Sequence, residues 1–377
     1  MAARIQDYDY PLPQDLVAQY PRPRRDTSRL LVLERATGEM HHARFLDLPQ
    51  WLEAGDLLVV NDTRVFPARL RGVKDTGGKV ELLLHHLPVG ERGDDLGEGT
   101  RGRGPLTIPP LKPLPQPPYG EPDGNSAWAR ATYRGRLKVG QTLKFGPSLH
   151  AEVLALPSPG VAEVRFFSVN GDVCRTVLAA GEMPLPPYIR RPAAAADWEG
   201  YQTLFASRVG AIACPTAGLH FTEAILAELT RRGIEVVPVT LHVGLGTFKP
   251  VRHADYTRHR MEPEYFELSQ DSARRLNAAR ARGQRLVAVG TTSVRVLEFC
   301  TRPGGFAPQT GWCDLYIHPG YVFKTVDRLL TNFHLPKSSL LLLVSAFAGR
   351  DLIMRAYEEA IKERYRFYSY GDCMLIL

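Results

Sequence analysis

The chain has 377 residues, 44% of them hydrophobic, which is enough for two domains with cores of their own. Its 47 basic residues exceed its 40 acidic ones, and the formal charge of +7 permits a polyanionic partner without demanding one. The five cysteines are odd in number and lack Cys-x-x-Cys or Cys/His ligand spacing, which argues against a disulfide framework and a zinc site and for reduced thiols in a cytoplasmic protein.

Residues 1–20 are too charged and proline-rich for a signal peptide. A short helix is expected near Gln14–Gln19. Arg22, Arg24, Arg25 and Arg29 then crowd ahead of an apolar strand at Leu30–Leu33, forming either a solvated loop or a phosphate-contacting edge. A second apolar strand, Leu57–Val60, ends in Asn61-Asp62-Thr63-Arg64, and polar strand exits of this kind line ligand sites in α/β folds.

From Phe66 to about Pro157 the character changes. Short β-prone runs at 68–73, 79–84, 128–133, 141–145 and 151–156, with another at 161–168, alternate with Gly, Asn and Pro turns. No segment has helical period, so a small barrel or sandwich is predicted. Within it, the Gly- and Pro-dense stretch 88–125 reads as a long loop, and Arg130, Arg134, Arg136 and Lys138 give one basic side.

Helical character returns at Val173–Gly181, followed by a rigid turn, Met183–Ile189. A strand at Ala211–Cys214 leads through Pro215–His220 into a helix, Phe221–Arg232, with Ile225, Leu226 and Leu229 on one face. Gly233 closes that helix, and the strand Ile234–Thr240 opens into His242-Val243-Gly244-Leu245-Gly246-Thr247-Phe248. Further strands are predicted at 265–268, 285–289, 314–317, 327–331 and 374–377, with helices at 269–283, 294–300, 340–348 and 352–365. The apolar run Leu340–Ala348 is far shorter than the roughly 20 residues of a bilayer span. Strand–helix alternation on both sides of an all-β interval implies an α/β main domain, 1–65 with 158–377, carrying an inserted all-β, barrel-like domain, 66–157, with its loop at 88–125.

The candidate chemistry gathers at strand exits. Gly290-Thr291-Thr292-Ser293 between a strand and a helix has the form of an anion-binding turn, though ordinary N-capping would explain it too. Gly244-Leu245-Gly246 lacks the third glycine of a dinucleotide fingerprint. His220, His242 and His334 each stand at a strand exit or helix entrance, where a capping or core role is the plain alternative. No Gly-x-Ser-x-Gly, Walker loop or His-Glu-x-x-His occurs, which removes the common hydrolase, NTPase and zinc chemistries.

Gly210-Ala-Ile-Ala-Cys-Pro-Thr-Ala-Gly-Leu-His-Phe-Thr222 and Thr240-Leu-His-Val-Gly-Leu-Gly-Thr-Phe-Lys-Pro-Val251 resemble signature stretches of the S-adenosylmethionine:tRNA ribosyltransferase-isomerase family of queuosine biosynthesis. The stretches 55–69, 183–189, 288–295, 330–338, 344–349 and 365–372 resemble it as well, in the same order. Two places depart: Met261-Glu262-Pro263-Glu264 stands where the family has Met-His-Ser-Glu, and His318 stands where it has tyrosine.

The resemblance implies an α/β fold with an inserted barrel and transfer of the ribosyl group of S-adenosylmethionine to a 7-aminomethyl-7-deazaguanine wobble base of tRNA. Isomerisation would give epoxyqueuosine, with adenine and methionine released. S-Adenosylmethionine is consumed, and no retained cofactor, metal or membrane is expected. Set against that chemistry, His220 or His242 is the expected proton carrier, with Asp62 as the carboxylate alternative. Gly244, Gly246 and Thr247 would admit the nucleoside, with Thr216, Thr292 and Ser293 as polar partners. Asn61, Arg64, Arg295, Asn332 and His334 would surround base and sugar. Arg22, Arg24, Arg25, Arg130, Arg134, Arg136 and Lys138 are the expected phosphate contacts of a monomer acting on tRNA in the cytoplasm. The rivals are a methyltransferase, which would release S-adenosylhomocysteine, and a non-catalytic RNA-binding module, which would bind no S-adenosylmethionine.

Overall fold

Four apolar runs lie side by side as parallel strands: Glu235–Leu241, Leu57–Asn61, Leu286–Val289 and Arg328–Asn332. The structure, a computed structural model, describes residues 3–88, 126–248 and 250–377. The loop expected over 88–125 therefore falls, apart from Pro88, outside the described residues. Antiparallel strands Glu264–Leu268 and Gln309–Cys313 extend the sheet beyond Glu235–Leu241. At the other edge come Cys373–Ile376, Arg29–Leu33 and Met40–Arg44.

Successive residues of a strand face opposite sides, so both faces of this sheet are apolar. Leu57, Val59, Leu286 and Ala288 join the core beneath helices Gln270–Ala281, Thr291–Cys300, Ser339–Ala348 and Arg350–Lys362. Leu58, Val60, Val287 and Val289 pack on the other side with Ile225 and Leu229 of the helix Glu223–Arg231. No helix among the described residues is long and apolar enough to cross a membrane.

The β-prone interval closes into a six-stranded antiparallel barrel, ordered 161–168, 126–134, 79–84, 69–74, 142–144, 149–158. The division placed at 157 cuts this barrel. Pro157–Gly160 reads as a boundary but lies at a hairpin, where 149–158 pairs with 161–168 and Gly160 turns with φ +79°. Val209, Ile212 and Leu245 pack against the barrel core, so the two segments around 209–212 and 245 meet the barrel.

Three element positions differ in ways that matter for the site. The strand expected at 211–214 is Arg208–Ala211; residues 211–214 are apolar because they are buried in irregular backbone ahead of Pro215. The strand expected at 314–317 lies at 309–313. The helix expected from Val294 begins at Thr291, because Gly290 (φ +85°) turns the chain straight from strand into helix.

Candidate functional site

The parallel strands Leu286–Val289 and Arg328–Asn332 end side by side, and the chain leaves both at the same edge. Gly290–Thr292 and Thr331–Leu335 there meet Cys214–Ala217, Val243, Thr247, Tyr188, Leu340 and Tyr368–Ser369 around an open pocket of about 600 Å³. Among the described residues its wall contains no Asp, Glu, Lys or Arg.

Asn332 is the most heavily bonded group of this wall. Its Oδ1 accepts from Thr216 Oγ1 at 3.0 Å, and its Nδ2 donates to His220 Nε2 at 3.2 Å and to the carbonyls of Tyr368 and Asp372. Asp372 is fully buried; its carboxylate accepts from the Arg22 guanidinium at 3.0 Å and from the backbone N–H of Arg29 and Arg366. Thus Arg22, expected to face phosphate, is partly committed to holding the pocket wall from behind.

His334 lines the pocket itself. Its Nε2 lies 2.8 Å from Thr331 Oγ1, its backbone N–H donates to Tyr357 OH, and its carbonyl accepts from Tyr10 OH. With Nε2–H donating to Thr331, Nδ1 keeps a lone pair and has no partner among the described residues. Burial pushes its pKa down to about 3, so the ring is neutral at physiological pH.

The other two imidazoles do not reach the pocket. His220 donates from Nδ1 to Ser28 Oγ (2.8 Å) and accepts from Asn332 at Nε2, so both nitrogens are engaged; burial pushes its pKa down to about 4. It positions Asn332 from the far side. His242 bonds Thr63 Oγ1 through Nδ1 (2.7 Å) and stacks on Tyr265, and its Nε2 is buried without a partner. A Cβ at position 210 would stand 2.5 Å from that ring, so only glycine lets His242 seat there. Burial pushes the His242 pKa down to about 4 as well. Asp62, the carboxylate alternative, accepts from Thr240 Oγ1 (2.6 Å) and Ser207 Oγ (3.2 Å); burial raises its pKa, and it does not line the pocket.

Of the remaining expected groups, Thr216, Thr247, Thr292, Asn332 and His334 come together in the wall. Asn61 instead clamps two strands, donating to Leu241 O and accepting from Leu241 N–H and Thr63 N–H. Arg64 lies on a strand paired with Arg208–Ala211, away from the wall. Ser293 Oγ turns back to Val289 O. Arg295 is buried and ion-paired with Glu264, whose other oxygen accepts from Gly244 N–H (2.7 Å) and Thr247 Oγ1 (3.2 Å). This buried pair fixes the 244–247 loop, and Arg295 itself does not line the pocket. Neither Gly244 nor Gly246 is forced by a close contact or a positive φ.

Outside the pocket, Arg24 is 70% exposed beside Asp26, while Arg25 is bonded to the carbonyls of Gln202 and Glu199. On the barrel, Arg130 pairs with Glu163 and Arg134 with Glu81, whereas Arg136 and Lys138 are exposed with no ion pair among the described residues. One trio of possible metal ligands, Glu34, Glu39 and His41, occurs on the 29–44 hairpin, and none of it lines the pocket.

Residues 5–376 match the family described as queuosine biosynthesis protein. The chain belongs to this queuosine biosynthesis family. It is similar to the S-adenosylmethionine:tRNA ribosyltransferase-isomerase of Nitratidesulfovibrio vulgaris (strain DP4), 47% identical over 99% of this chain and 97% of that protein. It is also 48% identical to the enzyme of the same name from Anaeromyxobacter sp. (strain Fw109-5), over 99% of each chain. A crystal structure of the S-adenosylmethionine tRNA ribosyltransferase of Thermotoga maritima aligns with a TM-score of 0.53 at 34% identity, covering 98% of this chain and 100% of that one.

Several wall residues of this family member had no role in the sequence reading: Tyr188, Cys214, Thr331, Phe333, Tyr368 and Ser369. The signal was present, because each falls in a stretch that resembles the family. Glu264 was likewise unassigned, although it is the one glutamate that stretch shares with the family's Met-His-Ser-Glu.

Proposed function

We propose that this queuosine biosynthesis family member transfers the ribosyl group of S-adenosylmethionine to the aminomethyl group of a 7-deazaguanine wobble base in tRNA and isomerises it to the epoxycyclopentanediol. Adenine and methionine leave. The observation that carries this reading is the uncharged pocket into which separate family stretches converge, with His334 in its wall and the Nδ1 of that ring without a hydrogen-bond partner among the described residues. A sulfonium suits such a wall, since the rings of Tyr188, Phe333 and Tyr368 supply negative faces without a counter-charge. The sulfonium acidifies the hydrogens on the ribose carbon next to sulfur, and His334 Nδ1 is the group we assign to take that proton. Asn332 and Thr216, fixed in each other's hydrogen bonds, hold sugar or base.

The RNA in this reading lies across the pocket rim. Tyr188, Tyr368 and Ser369 of the wall are close in the chain to Arg190, Arg191, which is paired with Asp197, and Arg366, whose charge interacts with that of Arg22. There the Arg191 guanidinium lies 4.3 Å from the Tyr20 ring centroid, and Tyr20 and Trp198 are 61% and 45% exposed, as stacking of an unpaired base requires. The barrel, taken as an inserted domain, offers Arg136 and Lys138 to the same backbone. In this reading the protein acts as a monomer on tRNA in the cytoplasm.

The test is incubation with S-adenosylmethionine and tRNA carrying the aminomethyl-deazaguanine. Equal release of adenine and methionine, with the matching mass gain on the nucleoside, is expected. S-Adenosylhomocysteine in their place would overturn the reading in favour of methyl transfer.

A further inference from the structure

The helix Thr291–Cys300 starts at the pocket wall, and no side chain caps it. The helices that follow Asp172, Thr222, Ser269 and Ser338 are each capped by that residue's side chain, while Arg350–Lys362, which follows Gly349, also lacks a side-chain cap. A helix start leaves backbone N–H groups without intrahelical acceptors, and here those of the first turn border the open space. Three hydroxyl residues occupy this turn. Ser293 is spent on Val289 O. Thr292 is only 8% exposed, its Oγ1 is buried without a hydrogen-bond partner, and it lines the pocket. Gly290 stands beside that hydroxyl, and a Cβ there would lie in ordinary contact with it at 3.7 Å. A buried hydroxyl left unpaired beside unpaired N–H groups is unfavourable unless a ligand completes both.

The ligand's chemistry follows from what the wall lacks. With no Lys or Arg among its described residues, an anionic group can be held there only by dipoles and hydroxyls. S-Adenosylmethionine carries one anionic group. We propose that the first turn of helix Thr291–Cys300, with the Thr292 hydroxyl, binds the α-carboxylate of the methionyl part of S-adenosylmethionine. The assignment rests on the reading that this nucleoside occupies the pocket. It fixes which end of the substrate lies at the exit of strand Leu286–Val289. The leaving methionine therefore departs from the helix end.

Calorimetric titration of the full chain with S-adenosylmethionine and with decarboxylated S-adenosylmethionine tests it. The wild type is expected to bind the decarboxylated compound about tenfold more weakly or worse, the scale of a charge-assisted hydrogen bond. Thr292→Val keeps the branched shape and removes the hydroxyl. It should lose several-fold for S-adenosylmethionine and nothing for the decarboxylated compound, while Thr292→Ser restores the difference. Wild-type affinities within about twofold of each other would overturn the assignment while leaving the pocket's function standing. So would an equal loss for both ligands in Thr292→Val with an unchanged unfolding temperature. Failure of the wild type to bind either compound would overturn the functional reading, and the assignment with it.

Discussion

His334 and His242 both stand just beyond the end of a strand in the same sheet, and their surroundings are opposite. His242 has one nitrogen bonded to Thr63 and the other sealed against the backbone at Gly210, with its ring stacked on Tyr265 at a centroid distance of 5.4 Å. His334 has one nitrogen bonded to Thr331 and the other without a partner among the described residues, on a ring that belongs to the pocket wall. Proximity to a strand exit is shared; access is not. A proton carrier needs a lone pair facing its substrate, and of the two imidazoles only His334 lines the pocket.

The comparison is broken most directly at His334. His334→Ala should lower the rate of adenine release by about 10²–10⁴-fold, the usual scale for removing a general base, while S-adenosylmethionine still binds. A rate within tenfold of wild type would end its role as the base.

Gly210→Ala should act in the opposite way. Its Cβ would collide with the His242 ring, and overpacking of this kind costs about 1–3 kcal/mol of stability. Chemical denaturation should show that loss, with turnover per folded molecule near normal. A selective loss of turnover without loss of stability would return His242 to the active site.

Acid sharpens the contrast further. An unfolded histidine takes up its proton below about pH 6.5. Folded His242 does so only near its lowered pKa of about 4. Between those values the unfolded state binds more protons, so stability rises with pH, is complete above about 6.5 and is lost as pH falls toward 4. His242 alone contributes on the order of 3 kcal/mol across that window. His242→Gln should flatten the slope of unfolding free energy against pH, and an unchanged slope would place the acid sensitivity elsewhere.

The smallest effect is expected at the rim. Arg24→Ala should make RNA affinity less salt-dependent, by about one unit of the log–log slope or less, without touching S-adenosylmethionine binding. Arg25 is already bonded to two carbonyls, so adding Arg25→Ala should change the slope little and stability more.

The sheet and barrel were legible because their signals are local. Runs such as Leu57–Val60 and Leu286–Val289 are apolar on every residue, as a strand covered on both faces must be. The barrel hairpins announce themselves through alternation and glycine turns. The pocket was legible in part: Thr216, Thr292, Asn332 and His334 could be nominated from their positions after strands and before helices. Which face each presents could not. His220 is disqualified as a free base by Ser28 and Asn332, residues 192 and 112 positions away, and no local pattern encodes that. Arg295 reads as a contact for base or sugar until Glu264 is brought against it from the strand Glu264–Leu268. Tyr188 and Tyr368 received no role, because an aromatic residue among prolines or other aromatics carries no local sign of facing a pocket.

Asp372 ties the two substrates' territories together. One carboxylate holds Arg22 behind the wall, and the same residue's carbonyl accepts from Asn332 of the wall. An RNA phosphate that draws Arg22 away from Asp372 therefore acts on Asn332 through a single residue. Heterotropic linkage is the thermodynamic consequence: whatever factor RNA imposes on the affinity for the nucleoside, the nucleoside imposes on the affinity for RNA.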